Sequence, residues 1–415
     1  MTLSNAAWVY RRFRIVASCA TALIASVALI GCAPPAPNGD DFLNTTDPTN
    51  NGARFVGSGA CAPCHPDIAR SHELHGHSHI LNQVFGTAPV YPPQATRANV
   101  PDPPEGFEWE DISYVTGGYL RKANFFDSEG FLLTDGSAGV DTLWVLQFPA
   151  TQTQPHFEAF LPGQTERLPY TFDCFRCHTT GPSTEGSVAR LPGIQGSWFQ
   201  AGVQCEACHG PGSRHIAGPP RGIYVNPGAA QCGQCHGRDG GTIQAAGGFI
   251  LHEQQYNELL ASPHANIRCA TCHNVHVSPN YATENVLIND CQDCHSDYNM
   301  ALHAGKTYVQ GDYSEVLTCH SCHMSYATRS ASSALVGNGR LGDMRTHIFR
   351  INSQPVDFTT MFTDDGRQVR LNADGQAAVT LDYVCLRCHH DQGNTFPLDL
   401  RFASDIAEDI HEIEP

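Results

Sequence analysis

The stretch Cys205-Glu206-Ala207-Cys208-His209 holds two cysteines three residues apart, with a histidine directly after the second. The same Cys-x-x-Cys-His pattern occurs eight times in the 415 residues and uses sixteen of the 18 cysteines. On a helical turn this spacing places both thiols on one face, where they can bond to the two vinyl groups of a porphyrin. A zinc or thioredoxin-like site needs only Cys-x-x-Cys, so the histidine, a proximal iron ligand, favours c-type haem. The sequence therefore predicts eight covalently bound c-type haems.

Each predicted haem site combines two thioether cysteines with one proximal histidine. The cysteine pairs of motifs one to eight are Cys61 and Cys64, Cys174 and Cys177, Cys205 and Cys208, Cys232 and Cys235, Cys269 and Cys272, Cys291 and Cys294, Cys319 and Cys322, and Cys385 and Cys388. The predicted proximal ligands are His65, His178, His209, His236, His273, His295, His323 and His389. Because haem uses every pair, the cysteine count predicts no disulfide framework.

The spacing of the motifs predicts the organisation of the chain. Successive motifs start 113, 31, 27, 37, 22, 28 and 66 residues apart, so six of them form a dense central array. The predicted segments are a leader at 1–31, a tether at 32–55, the first haem with a β-rich insert at 56–170, the six-haem array at 171–323, and a β-rich insert with the last haem at 324–415. Aromatic and β-branched runs broken by turn residues predict small β-hairpins in both inserts. The predicted fold class is a multihaem cytochrome c of mainly short α-helices and irregular loops around a haem array, with small β-hairpin inserts.

The N-terminus predicts export and a lipid anchor. Arg11, Arg12 and Arg14 precede an apolar run that ends in Leu29-Ile30-Gly31-Cys32. This is typical of a bacterial lipoprotein signal, whose cleavage leaves a lipidated Cys32 as the first residue. The alternatives are an ordinary secretory signal with an incidental cysteine and an uncleaved anchor, for which a run of about sixteen residues is short. We expect the protein in the bacterial cell envelope, facing the periplasm or the cell exterior.

The composition narrows the class of partner. The formal net charge is −17, which disfavours nucleic acid and anionic lipid surfaces. It favours redox partner proteins that carry basic docking patches. Contact with the membrane is predicted only through the lipid anchor, and self-association stays possible.

The central array resembles the cytochrome c554 group of multihaem cytochromes. The resemblance rests on Gly202 to His215, where a haem motif continues as Gly-Pro-Gly-Ser-Arg-His, and on Ser262-Pro263-His264 before motif five. That group shares its haem packing with the hydroxylamine oxidoreductase superfamily, so the resemblance implies either a carrier or an enzyme. In the group, the histidine after Gly-Pro-Gly is a distal ligand, which implies that function for His215.

Fourteen histidines lie outside the motifs, and eight of them would give every iron a second imidazole. In the tract His72-Glu73-Leu74-His75-Gly76-His77-Ser78-His79, the resemblance favours His77. The predicted distal ligands are His77, His215, His252, His264, His276, His303 and His347, with His156 or His390 completing the set.

These ligands favour an electron carrier over an enzyme. No motif is Cys-x-x-Cys-Lys, the variant of ammonia-forming nitrite reductases and octahaem tetrathionate reductase, and no tyrosine follows His389, as hydroxylamine oxidoreductases require. The predicted function is electron transfer from haem to haem, with no catalytic residue assigned. The alternatives are an octahaem oxidoreductase acting on hydroxylamine, nitrite or tetrathionate, and a subunit of a conducting filament.

Overall fold

The computed structural model describes residue 44 and residues 46–226, 228–238, 240–281, 286–300, 303–391, 395–407 and 410–411. The predicted leader and the lipobox cysteine Cys32 lie outside the described residues. None of the helices in these ranges combines the length and the apolar character that a membrane crossing requires.

The helices are short, and seven of the described helices contain residues of an attachment motif. The α-helices, α1 to α12, are Ser58–Cys61, Pro66–Glu73, Asp135–Ala138, Phe172–Phe175, Cys205–His209, Ser213–Ala217, Ala229–Gly233, Gln255–Leu260, Cys269–Cys272, Cys319–His323, Leu381–Val384 and Leu400–Ala407. The 3-10 helices are Pro48–Asn50, Gly76–His79, Trp109–Asp111, Pro149–Thr151, Cys291–Asp293 and Phe358–Met361. Every motif begins in or directly after one of these turns, which holds its two thiols on one side.

The strands are equally short but pair into larger sheets. The strands, β1 to β18, are Leu81–Gln83, Ile112–Gly117, Lys122–Asp127, Phe131–Leu132, Leu143–Val145, His156–Glu158, Leu168–Thr171, Thr179–Thr180, Ile194–Gln195, Gln200–Ala201, Ala245–Ala246, Phe249–Leu251, Thr307–Gln310, Tyr313–Val316, Thr328–Val336, Gly339–Met344, Ile351–Asn352 and Val379–Thr380. Helices, loops and sheets together surround the motifs.

The first insert supplies most strands of an eight-stranded sheet, whose order is β1-β2-β3-β4-β7-β9, with β5 paired to β3 and β6 paired to β5. The prediction of only small hairpins is therefore wrong for this insert. Turn residues mark local hairpins, whereas this sheet also joins distant segments, as in the parallel pair of Tyr170 with Ile194.

Alternating side chains of this sheet pack into two apolar clusters, because successive residues of a strand point to opposite faces. Val115 and Phe125 belong to one cluster. Tyr114 and Phe126 belong to the other, together with Phe175 from the interior of motif two. The sheet thereby fixes the position of motif two.

A second sheet joins the central array to the last insert. Its order is β11-β12-β15-β16, and β12 pairs in parallel with β15. This sheet crosses the segment boundary predicted at residue 324. A separate hairpin pairs β13 with β14, and its Tyr308 donates a hydrogen bond to the backbone carbonyl oxygen of Arg387 in motif eight.

A buried carboxylate on β14 ties motifs seven and eight together. Glu315 accepts hydrogen bonds at 2.9 and 3.1 Å from Arg387, which lies inside motif eight. It also accepts one at 2.6 Å from Ser321, inside motif seven, and one at 2.9 Å from Arg345. Burial by itself raises the pKa of Glu315, but the two guanidinium groups outweigh burial and hold this pKa well below its usual range.

Candidate haem-binding site

One continuous cavity of about 3500 Å³ runs past all eight motifs. All sixteen motif cysteines and all eight motif histidines line it, among predominantly apolar neighbours. Thiols, imidazoles and an apolar wall are the groups that a thioether-linked porphyrin requires. The residues present therefore fit c-type haem.

Seven motif histidines face a second imidazole across this cavity. Two imidazoles on opposite sides of one metal, each with a metal–nitrogen distance of about 2 Å, have ring centres about 6 Å apart. The ring-centre distances are 6.3 Å for His65 and His215, 6.2 Å for His209 and His276, 5.9 Å for His236 and His77, 6.2 Å for His273 and His347, 5.9 Å for His295 and His264, 5.9 Å for His323 and His411, and 6.1 Å for His389 and His303. These pairs have the separation that an iron between them requires.

Six of the histidines predicted as distal ligands occur in these pairs, and the seventh, His411, is one that the sequence analysis misses. His411 lies near the C-terminus, where no local motif marks it. Its Nδ1 lies 3.1 Å from the carbonyl oxygen of Asn299, and its ring is nearly parallel to that of His323, at 8°. Only the fold brings the two rings together.

Three other candidates do not face a motif histidine in the described structure. His156 lies on β6, with Nδ1 at 2.8 Å from the carbonyl oxygen of Gln154, and is half exposed. His252 places Nε2 at 3.4 Å from Lys122 Nζ. His390 is buried beside His389, and neither of its ring nitrogens has a hydrogen-bond partner among the described residues. The geometry does not support distal ligation by these three.

Two of the paired imidazoles, His77 and His347, are held in the neutral form by burial. Burial lowers the pKa of His347 to about 3, and it lowers the pKa of His77 well below its usual range. A neutral imidazole keeps a lone pair for the metal. Nδ1 of several motif histidines meets a backbone carbonyl oxygen, at 2.9 Å for His209, 2.8 Å for His323 and 2.7 Å for His389. Such a bond fixes the Nδ1–H tautomer and leaves Nε2 for iron.

Motif two differs from the other seven. All 22 histidines are described, yet none faces His178, whose aromatic neighbour is Tyr170 at 6.2 Å between ring centres. Burial lowers the pKa of His178, and the carboxylate of Glu253 opposes this effect. Glu253 Oε1 lies 3.4 Å from His252 Nε2, which lies 3.4 Å from Lys122 Nζ. Motif two therefore has a proximal imidazole without a second imidazole opposite it.

Thiols that lie close enough to affect each other's ionisation give the spatial order of the motifs. The thiols of Cys61 and Cys205 hydrogen bond to each other, which joins motif one to motif three, and those of Cys232 and Cys269 join motif four to motif five. Neighbouring thiols further along join motif three to four, five to six, six to seven and seven to eight. The order is therefore one, three, four, five, six, seven, eight.

Motif two stands beside this line as a branch. Its Cys177 hydrogen bonds to Cys235 of motif four. The branch is thus attached at motif four, and it ends at the one motif histidine that has no imidazole opposite it in the described structure.

Motif one is held against motif three by a buried glutamate. The Glu206 carboxylate accepts backbone N–H bonds at 3.0 Å from Val56, 2.7 Å from Gly57 and 2.7 Å from Gly212. Because residues 56 and 57 directly precede α1, these bonds fix the start of motif one on the body of the array.

Comparison with known proteins finds similarity to multihaem cytochromes. Residues 153–210 match the family described as cytochrome c554 and c-prime, a segment that contains motifs two and three. Multiheme cytochrome MtrA of Shewanella baltica is 25% identical over 178 residues, which are 38% of this chain and 47% of MtrA. The chain thus spans about half the length of the curated relative that it matches.

Solved structures resemble the chain over most of its length. The octaheme sulfite reductase MccA of Wolinella succinogenes superposes with a TM-score of 0.55 at 16% identity, over 90% of this chain and 71% of that one. The outer cell wall cytochrome OcwA gives a TM-score of 0.49 at 18% identity, over 85% and 86% of the two chains. At such identities the first of these likenesses shows a shared fold. The chain is thus similar to multihaem c-type cytochromes, and its residues 153–210 match the cytochrome c554 and c-prime family.

Proposed function

We propose that the chain binds eight c-type haems, one at each motif, and transfers electrons between redox partners along them. The observation that carries the proposal is the order of the neighbouring thiols, which relates all eight motifs in one series with one branch. A thiol bonded to a vinyl group lies at the edge of its porphyrin, so neighbouring thiols would bring porphyrin edges together. Haem iron supplies one-electron chemistry, which the protein tunes through axial ligands, hydrogen bonds and burial.

The residues around the seven imidazole pairs favour electron transfer over catalysis. Two histidines per iron leave no position for a substrate and limit geometric change on reduction. Carbonyl acceptors at Nδ1 hold the rings in orientation, and the apolar wall excludes water. The chain's own contribution is therefore to position and tune the bound groups.

The purified protein is expected to carry eight haems that stay attached on denaturation and to take up eight electrons in a reductive titration. Replacing Cys232 and Cys235 with serine should lower both numbers to seven, because both thioether bonds at motif four are lost. Mass spectrometry of the denatured chain and coulometry measure the two quantities. Cys32→Ala removes a cysteine outside the motifs and is the matched control, expected to keep eight. A wild-type protein with seven or fewer haems, made in a host competent for maturation, contradicts the proposal.

In a second candidate function, the chain is an octahaem oxidoreductase that converts a small nitrogen or sulfur compound at motif two. The observation that favours it is the absence of an imidazole opposite His178 among the 22 described histidines. The polar group Lys122, His252 and Glu253 lines the same cavity. MccA, which shares the fold, is named an octaheme sulfite reductase.

Assays with a reduced dye and sulfite, nitrite, hydroxylamine or tetrathionate test this second function. An oxidoreductase gives steady dye oxidation with one of the four, and Lys122→Met, which removes a cation beside His252, should lower the rate. Wild-type rates no higher than those of a free haem peptide with all four compounds would leave only electron transfer.

We further propose that the protein is a lipoprotein of the cell envelope, anchored through Cys32. The basic start and the Leu-Ile-Gly-Cys sequence support this location, and c-type haem is attached outside the cytoplasm. The net charge of −17 favours basic redox partners over nucleic acid. Labelling with radioactive palmitate should be lost in Cys32→Ala, and labelling that persists would exclude this anchor.

A further inference from the structure

The hydrogen-bond partner of the proximal imidazole sets motif two apart. Four motif histidines place Nδ1 against a carbonyl oxygen, namely His209, His236, His323 and His389. His178 instead has its Nδ1 at 2.6 Å from the hydroxyl oxygen of Tyr170. The same motif is the one whose histidine has no imidazole opposite it in the described structure.

Tyr170 is held rigidly in this position. It lies on β7, is 4% exposed, and its neighbours on the sheet are β4 and β9. Its ring packs at 4.7 Å from Phe126 and 5.8 Å from Phe175, which is part of motif two. The cluster therefore fixes the hydroxyl relative to His178. A phenol, with an ordinary pKa of about 10, carries its proton at neutral pH.

We propose that Tyr170 is a positioning residue that makes the imidazole of His178 a weaker electron donor to iron than the imidazoles bonded to carbonyl oxygens. The inference rests on the proposed function, because it requires a haem at motif two. An imidazole bound through Nε2 carries its proton on Nδ1, so His178 donates this bond and the tyrosine oxygen accepts it.

The chemistry of the acceptor decides how much electron density reaches the metal. A hydrogen bond from Nδ1–H to an acceptor raises the basicity of the ligating ring. A carbonyl oxygen has two free lone pairs and no proton, whereas a neutral phenol oxygen carries its own proton and accepts less strongly. Less electron donation favours the ferrous state. Motif two then has a more positive reduction potential than a carbonyl acceptor would give, and it retains electrons at the end of the branch.

The test is Tyr170→Phe in the haem-loaded full chain, a change that keeps the ring and its packing. Removing the acceptor should weaken donation further. The iron–histidine stretching band in the resonance Raman spectrum of the reduced protein should therefore move to lower frequency. In a spectroelectrochemical titration, one potential of the eight should become more positive and seven should stay unchanged. Tyr114→Phe is the matched control, since it removes a hydroxyl from the same cluster and leaves the Tyr170 contact intact.

Unchanged potentials in Tyr170→Phe would overturn the inference, as would an equal shift in Tyr114→Phe. Failure of the proposed function has a different signature, which is a wild-type protein without a haem at motif two. A wild-type spectrum without the stretching band means a six-coordinate iron and rejects the second candidate function. The shift in potential then decides the function of Tyr170 by itself.

Discussion

Glu315→Ala is expected to lower the free energy of unfolding by about 3–5 kcal/mol, the usual cost of removing one partner from a buried ion pair. Glu315 is the shared acceptor for Arg387 and Arg345, and Arg387 is only 2% exposed. Without the carboxylate, the buried guanidinium of Arg387 and the partly buried guanidinium of Arg345 lose their counter-charge. Denaturant titration of the haem-loaded protein, followed by haem absorbance and by circular dichroism, measures the loss.

The matched control is an ion pair on the surface. Glu129 contacts Arg167, and both side chains are about half exposed. Glu129→Ala should cost about 0–1 kcal/mol, because solvent screens such pairs. Equal losses in the two variants would show that the Glu315 network adds nothing beyond surface electrostatics.

The ion pairs of Glu315 also predict that the free energy of unfolding depends on pH. Because the pKa of Glu315 is lower in the folded protein than in the unfolded chain, its contribution to stability is fully present above the unfolded value of about 4.3. That contribution is lost as the pH falls towards the folded value. Glu315→Gln should therefore flatten the acid limb of the stability curve below about pH 4, where the wild type loses stability steeply.

His347→Ala is expected to convert one low-spin haem into a high-spin haem that binds carbon monoxide. The His347 ring is deeply buried and lies 6.2 Å from that of His273, so the variant leaves one side of the motif-five iron without a protein ligand. Low-temperature electron paramagnetic resonance of the oxidised protein and a carbon monoxide difference spectrum of the reduced protein give the change. Each signal should increase by the equivalent of one haem.

His156→Ala controls for the loss of any histidine. Its imidazole is half exposed on β6 and bonds to the carbonyl oxygen of Gln154, so no haem should change spin state. A low-spin spectrum that persists in His347→Ala would refute the pairing with His273. A new high-spin haem in His156→Ala would restore His156 as a ligand.

The attachment motifs can be recognised in the sequence because each is contained in five consecutive residues. The second ligand cannot be predicted in the same way, since His77 meets His236 across more than 150 residues. Resemblance to a motif finds some of these partners, such as His215 after Gly-Pro-Gly. It fails for His411, which has no neighbouring pattern and is identified only by its position opposite His323.

The sheets and the buried ion pairs likewise could not be predicted from the sequence alone. Turn residues around Asp127 and Gly130 predict a local hairpin, and β3 does pair with β4 there. They contain no information on the pairing of β7 with β9 that enlarges the sheet. Likewise, Arg387 inside a haem motif gives no sign that its partner is Glu315 on a distant hairpin. Burial selects such partners, and burial is a property of the assembled chain.

In the proposed electron path, the spatial order of the motifs determines how the loss of one site affects the others. Motif four has three neighbours, which are motifs two, three and five. Loss of motif four separates motifs one and three from motifs five to eight, and it also isolates motif two. Loss of motif two leaves the other seven motifs connected. A chemical lesion at Cys232 or Cys235 and one at Cys174 each remove a single site, yet only the first isolates the two ends from each other. The line thus offers no second route around motif four, whereas the branch at motif two can be lost without interrupting the line.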